Sequence, residues 1–220
     1  MKYRTVFDII GPVMIGPSSS HTAGAVKIGR LARTLFARQP KWAEVSFYGS
    51  FAKTYKGHGT DVAIVGGLLD FVTYDERIPS ALTLANEAGL KVSFRKETAV
   101  ADHPNTARLI VGDEMGQLEL VGISIGGGKI EIIELNGFPL RLSGNHPAMI
   151  ILHQDRFGTI AAVANTLAEK AINIGHMEVA RKEKGKMALM TIEMDHNVDN
   201  DVLKDLMELP NIVQVTKIIE

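Results

Sequence analysis

The stretch "AMIILHQDRFGTIAAVANTLAEKAINIGHMEVARK" (residues 148–182) sets the architecture of the C-terminal part of the chain. AMIILHQ (148–154) is a run of apolar and β-branched residues and reads as a strand. Residues 158–171 place Ile160, Val163, Ala164 and Leu167 at helical spacing on one face. INIGHMEVARK (172–182) and KMALMTIEMD (186–195) are two strands joined across the turn EKGK. Residues 198–210 form a second helix stopped by Pro210, and residues 211–220 a last strand. The order is βαββαβ, the split-βαβ or ferredoxin-like arrangement.

Working outward, the pattern breaks at LSGNHP (142–147), the best linker candidate. Two domains are expected, 1–142 and 148–220. In the first, Thr22–Arg38 carries Ile28, Leu31, Ala32 and Leu35 at helical offsets, with Ser20 as its expected N-cap. EVSFYGS (44–50) alternates like a strand, and TDVAIVGGLLDF (60–71) reads as a buried helix in which Gly66 and Gly67 allow close packing. SALTLANEAG (80–89) is a short helix with a serine cap and a glycine stop. KVSFRKE, ARLIV, QLELVGISI and KIEIIEL follow at short intervals and predict an antiparallel sheet. The fold class is α+β: an N-terminal mixed α/β domain with an antiparallel sheet, then a ferredoxin-like domain.

The bulk composition narrows the function classes. The 220 residues are 45% hydrophobic and 22% charged, the balance of a soluble globular protein. Twenty-four Lys and Arg against 25 Asp and Glu leave a net charge of −1, with no basic run, so nucleic acid is not an expected partner. The chain has no cysteine. Disulfides and thiolate zinc sites are excluded, and this chain cannot hold an iron–sulfur cluster through thiolates. Lys2 and Arg4 precede VFDIIGPVMIG, but Asp8 and Pro12 interrupt that run, which makes it a poor signal-peptide core. No stretch approaches the length of a membrane-spanning helix. A soluble, cytoplasmic protein without a membrane partner is expected.

Three polar clusters carry possible chemistry. PSSSHT (17–22) puts Ser18, Ser19, Ser20, His21 and Thr22 at the start of a helix. Free N–H groups and hydroxyls there suit a small anion. The plainer reading is an over-supplied N-cap, though one serine suffices for a cap. In YKGHGTD (55–61), glycines flank His58, and Thr60 and Asp61 open the next helix. A histidine titrating near neutrality can act as a general base, while a lone loop histidine is more often inert. DHPNT (102–106) contributes His103 and Asn105 ahead of a strand. Gly126–Gly128 between two strands reads as a bulge or tight turn rather than a pyridoxal-phosphate cradle, since no lysine stands in a suitable context.

HQDRFGTIAAVANTLAEKAINI (153–174) resembles the ACT domain, a small-molecule sensor found on amino-acid enzymes. PSSSHT, GSFAKTYKGHGTD (49–61), HPNT (103–106) and SIGGG (124–128), in this order before an ACT domain, resemble the β chain of the iron–sulfur L-serine dehydratases (L-serine ammonia-lyases) of the two-chain bacterial type. The resemblance covers essentially the whole chain. A related allosteric substrate-binding domain also precedes the ACT domain of some D-3-phosphoglycerate dehydrogenases.

The resemblance implies an enzyme that converts L-serine to pyruvate and ammonia, with a [4Fe–4S] cluster as Lewis acid. Because this chain lacks cysteine, the cluster is expected on a partner α chain. His58 is the implied base and Asp61 its implied orienting group. Ser18, Ser19, Ser20, His21, Thr22, Thr60, His103 and Asn105 are expected to line the substrate side. In ACT domains of this kind the resemblance implies a ligand held between two such modules, here by His153, Asp155 and Asn173, with Asp155 standing where the dehydrogenase loop has Asn. Asp155 as a turn residue and Asn173 as a helix-end residue are the plainer readings. Edge-to-edge pairing of ACT sheets is expected to make a homodimer. The alternative is a purely regulatory serine-binding chain without catalytic groups.

Overall fold

The computed structural model describes residues 12–144 and 146–218. Residues 1–11 of the signal-peptide argument, Asn145 of the linker and the last two residues of the final strand lie outside them. The chain divides into two compact units, Met1–Asn136 and Gly137–Glu220.

The first unit opens with a π-helical turn, Ser19–Ala23, that runs directly into α1 (Gly24–Phe36). Ser18, not Ser20, caps it: the Ser18 hydroxyl accepts the His21 N–H at 3.1 Å. The wider π turn starts the helix two residues earlier than the apolar spacing implies. Ile28, Leu31, Ala32 and Leu35 are buried as expected, and the helix ends at Ala37 in the left-handed region. β1 (Trp42–Phe47) follows. It stops short of the expected strand end because the chain turns at Gly49 into a short helix, α2 (Gly49–Thr54). Gly49 has φ +53°, and a Cβ there would lie 2.6 Å from Pro104 O. α3 (Thr60–Leu68) and α4 (Ala81–Glu87, after a 3₁₀ turn at Ile78–Ser80) lead to β2 (Lys91–Lys96). Ser80 makes no side-chain cap bond to α4.

β3 (Thr106–Asp113), β4 (Gly116–Gly126) and β5 (Lys129–Leu135) complete this unit. Its strands lie in the order β2-β1-β3-β4-β5. β3, β4 and β5 pair antiparallel in sequence, and β3 pairs antiparallel with β1. β2 departs from the expected antiparallel sheet: it pairs parallel with β1. A parallel neighbour needs a long crossover, and α2, α3 and α4 form it. Gly126–Gly128 is the tight β4–β5 turn, all three residues at positive φ, with a bulge between Ser124 and Gly126.

α1 and α3 pack unusually close. A Cβ on Gly67 would sit 2.1 Å from Val26 O, and one on Gly29 would sit 2.1 Å from Ile64 O. Only hydrogen fits there, so two glycines let the backbones touch. That contact sets the start of α3 beside the turn that starts α1.

The second unit starts with β6 (Phe138–Leu142), a strand absent from the sequence reading. Then come β7 (Ala148–Gln154), α5 (Thr159–Glu169), β8 (Ile174–Arg181), β9 (Met187–Met194), α6 (Asn200–Met207) and β10 (Ile212–Ile218). The four strands β7–β10 lie in the order β10-β7-β9-β8, all pairs antiparallel, the ferredoxin-like arrangement. Met149 and Ile151 of β7 share one face with Met190, Ile192 and Met194 of β9. Val163 and Leu167 of α5 and Val202 and Leu206 of α6, each pair one helical turn apart, cover that face. Ile160 does not join them; it is 46% exposed.

Candidate functional site

The close α1–α3 contact brings two of the polar clusters together. His21 leaves the π turn and His58 leaves the loop before α3, and their rings meet edge-on with centroids 4.7 Å apart. The Thr22 hydroxyl donates to His58 O at 3.0 Å, which ties the loop to the turn. Phe51 of α2 closes the other side of His21, with centroids 5.2 Å apart. The His21 Nε2 lies 2.9 Å from Ser50 Oγ, and its Nδ1 lies 3.4 Å from Ser18 Oγ. Burial first, and the neighbouring His58 second, push the His21 pKa below the ordinary histidine value.

His58 differs. Its Nδ1 is buried and has no hydrogen-bond partner among the described residues. A buried polar nitrogen without a partner costs stability, so it stands out among the groups of this loop. The Thr60 hydroxyl, fully buried at the first position of α3, is also without a partner.

Asp61 is 4% exposed, and its carboxylate meets Lys56 Nζ at 3.2 Å and the Val62 N–H at 3.0 Å. A carboxylate in the first turn of a helix is favoured by the helix dipole. Its bonds pin the start of α3; they do not reach His58.

The third cluster borders the first two. Pro104 O accepts the Ser50 N–H at 2.7 Å. His103 and Asn105 bond within the protein: His103 Nδ1 accepts the Asn105 N–H at 3.1 Å, and Asn105 Nδ2 donates to Ser124 O of β4 at 3.3 Å. Ser20 lies on the side of the Gly126 turn, where a Cβ on Gly126 would be 3.9 Å from Ser20 Oγ. Ser19 O accepts the Gly24 N–H within the turn. Ser50 and Phe51 are the residues that motif reading missed. Ser50 stands 29 positions from His21, and only the fold makes them neighbours.

Within one copy of the second unit, His153 and Asp155 lie at one end of the sheet and Asn173 at the other. His153 is 2% exposed, with Nδ1 2.9 Å from Gln154 O and Nε2 buried without a partner. Asp155 accepts the Gly185 N–H at 2.9 Å and Arg181 Nη1 at 3.1 Å. The Gly185 N–H first, and Arg181 second, hold its carboxyl below the usual carboxylate range. Asn173 donates to Asp195 at 2.8 Å. β8 runs parallel to β7 because both pair antiparallel with β9. Asp155, after β7, and Asn173, before β8, therefore lie at opposite ends of the sheet. Beside Asp155 is an open groove of about 730 Å³ bordered by Phe157, Ile160, Ala164, Arg181 and Lys184.

Among the described residues no group of three or more His, Cys, Asp or Glu is placed to hold a metal ion. With no cysteine in the chain, the donor set does not fit a thiolate-held iron–sulfur cluster.

Residues 5–81 match the family model described as serine dehydratase beta chain, and residues 148–211 match the ACT domain. The fold and site therefore define a serine dehydratase beta-chain module followed by an ACT domain. The chain is 69% identical to the probable L-serine dehydratase, beta chain, of Bacillus subtilis over 99% of both chains. It is 36% identical to the L-serine dehydratase, beta chain, of Peptoniphilus asaccharolyticus over 89% of each. D-3-phosphoglycerate dehydrogenase of Bacillus subtilis is 27% identical over 87% of this chain and 36% of its own length. The chain belongs to the L-serine dehydratase beta-chain family. No helix among the described residues is long and apolar enough to cross a membrane.

Proposed function

We propose that this chain is the β subunit of a cytoplasmic L-serine dehydratase and works with an α chain that carries a [4Fe–4S] cluster. Residues 1–142 form the module that meets the substrate site, and residues 148–220 form an amino-acid-sensing ACT module that pairs with a second copy. The observation that carries the reading is His58: a buried ring nitrogen without a partner, set among hydroxyls and a second histidine. The resemblance of KGHGTD to the family motif and the relationship to named beta chains support the same assignment.

His58 takes the α-proton of L-serine, the Cβ–O bond breaks, and the imidazolium returns the proton to the departing hydroxyl, which leaves as water. The aminoacrylate that remains is hydrolysed to pyruvate and ammonia. The Ser18–Thr22 turn and Thr60 border the substrate; Ser18 and Thr22 spend their hydroxyls on His21 and His58 O, so the Ser19, Ser20 and Thr60 hydroxyls are the ones left to meet an amino-acid carboxylate. Asp61 holds the start of α3 and so places His58. The cluster belongs to the α chain, and this chain only shapes its surroundings.

The test is pyruvate formation by the enzyme reassembled from both chains under anaerobic conditions. His58→Ala lowers turnover about 10²-fold or more, the scale for a positioned base. Unchanged turnover with altered cooperativity would favour a purely regulatory β chain.

A further inference from the structure

The two histidines of the site differ in one respect that bears on how they divide the work. Both ring nitrogens of His21 face hydroxyls, Ser50 at 2.9 Å and Ser18 at 3.4 Å. Its two edge-on neighbours are Phe51 and His58. It therefore keeps no nitrogen for a substrate. His58 has a buried nitrogen without a partner among the described residues.

We propose that His21 is a positioning residue rather than a substrate ligand, and that Ser50 is the clamp that fixes its ring and keeps it neutral beside His58. A hydroxyl can meet a neutral imidazole at either nitrogen, as donor or acceptor, and supplies no negative charge to stabilise an imidazolium. Ser18 Oγ already accepts the His21 N–H, which leaves its own proton to give to Nδ1. Nε2 then carries the hydrogen and donates to Ser50. A ring held in this tautomer presents a steady, uncharged edge to His58. A second positive charge at that separation would oppose proton uptake by the base.

Among the described residues no acid contacts the His21 ring to offset this. Of the ionisable groups on the neighbouring elements, Lys27 of α1 and Lys53 of α2 are cations, which add no negative charge, and Asp102 lies in the loop before β3. Asp61 and Lys56 pair with each other, and His103 is bonded to the Asn105 N–H. The Ser50 backbone is held independently of its hydroxyl, because its N–H donates to Pro104 O and its carbonyl accepts from Thr54. Removing the hydroxyl thus frees the ring without unmaking the loop.

The consequence for catalysis rests on the assignment of His58 as the base, whereas the clamp itself is measured without it. Long-range proton–nitrogen NMR of the full chain, across the pH range in which histidines titrate, reads the tautomer and protonation of each ring. In the wild-type chain His21 shows a single neutral tautomer with the hydrogen on Nε2, and it stays neutral where ordinary histidines take up a proton. Ser50→Ala turns that signal into an averaged mixture, and Ser50→Thr restores it. In the reassembled enzyme, Ser50→Ala lowers kcat roughly tenfold with KM nearly unchanged and moves the acid limb of the pH–rate profile, and Ser50→Thr returns both. An imidazolium at His21 in the wild-type chain at ordinary histidine pH, or a His21 signal identical in Ser50→Ala, overturns the inference. Full activity of His58→Ala would overturn the catalytic reading and leave the NMR result standing.

Discussion

Replacing Gly67 by alanine tests the contact that assembles the site. The added methyl would lie 2.1 Å from Val26 O, 2.5 Å from Arg30 N and 2.9 Å from the Gly29 carbonyl carbon, where ordinary contact begins at 3.4 Å. All three obstacles are backbone of α1, so no side chain can swing aside. α1 and α3 have to part by about 1 Å, and overpacking of this kind costs about 1–3 kcal/mol. Alanine returns up to about 1 kcal/mol through its helix propensity. Because the clash is with rigid backbone, the upper end of the cost applies, and the net loss is about 2 kcal/mol. For a chain of this size that lowers the melting temperature of the first unit by about 4–8 °C. The neighbouring Gly66 is the control. A Cβ there meets Ile78 Cγ1 and Phe71 Cδ2 at 3.4 Å, ordinary contact with side chains. Gly66→Ala is therefore neutral or slightly stabilising. Differential scanning calorimetry of the three full-length chains measures both. Equal melting of Gly67→Ala and wild type, or an equal fall in both variants, would refute the reasoning.

Two further expectations concern charge. Asp113 accepts both arms of Arg38, one of them Nη2 at 2.8 Å, and the Met115 and Gly116 N–H groups, which depress its pKa to about 2. A carboxyl depressed on folding stabilises the fold above its unfolded pKa of about 3.9 and loses that contribution as pH falls toward 2. Acid titration of stability should show this loss in the wild type, and Asp113→Asn should remove the part between about pH 4 and 2. In the second unit, Asp155→Asn keeps an acceptor for the Gly185 N–H but loses the ion pair with Arg181. That pair is open to solvent, which screens it, so the expected loss of global stability is small. Hydrogen exchange should speed up at residues 181–186 and leave β7 unchanged.

The ferredoxin-like unit was legible because its periodicities switch cleanly. Val163 and Leu167, and Val202 and Leu206, keep helical spacing, while β7 and β9 carry apolar residues that face α5 and α6. The family motifs likewise pointed to the His21 and His58 clusters. What the sequence concealed was set by contacts distant along the chain. The parallel β1–β2 pair depends on a three-helix crossover that no local pattern announces. α2 is a single short helix without a side-chain cap, so Gly49 and Ser50 read as the end of a strand. Ser20 gave way to Ser18 as the cap because the opening turn is π-helical. Ile160 fell on the exposed edge of its helix because Val163 and Leu167 alone meet the core. Ser50 carried no signal, since its importance lies in a bond across 29 residues.

The most direct check on the role of His58 is chemical rescue. The holoenzyme reassembled with His58→Ala, at iron content matched to wild type, is assayed for pyruvate with and without added imidazole. A positioned base requires turnover to fall about 10²-fold or more and to recover in part as imidazole occupies the vacated space. Undiminished turnover without imidazole would contradict it.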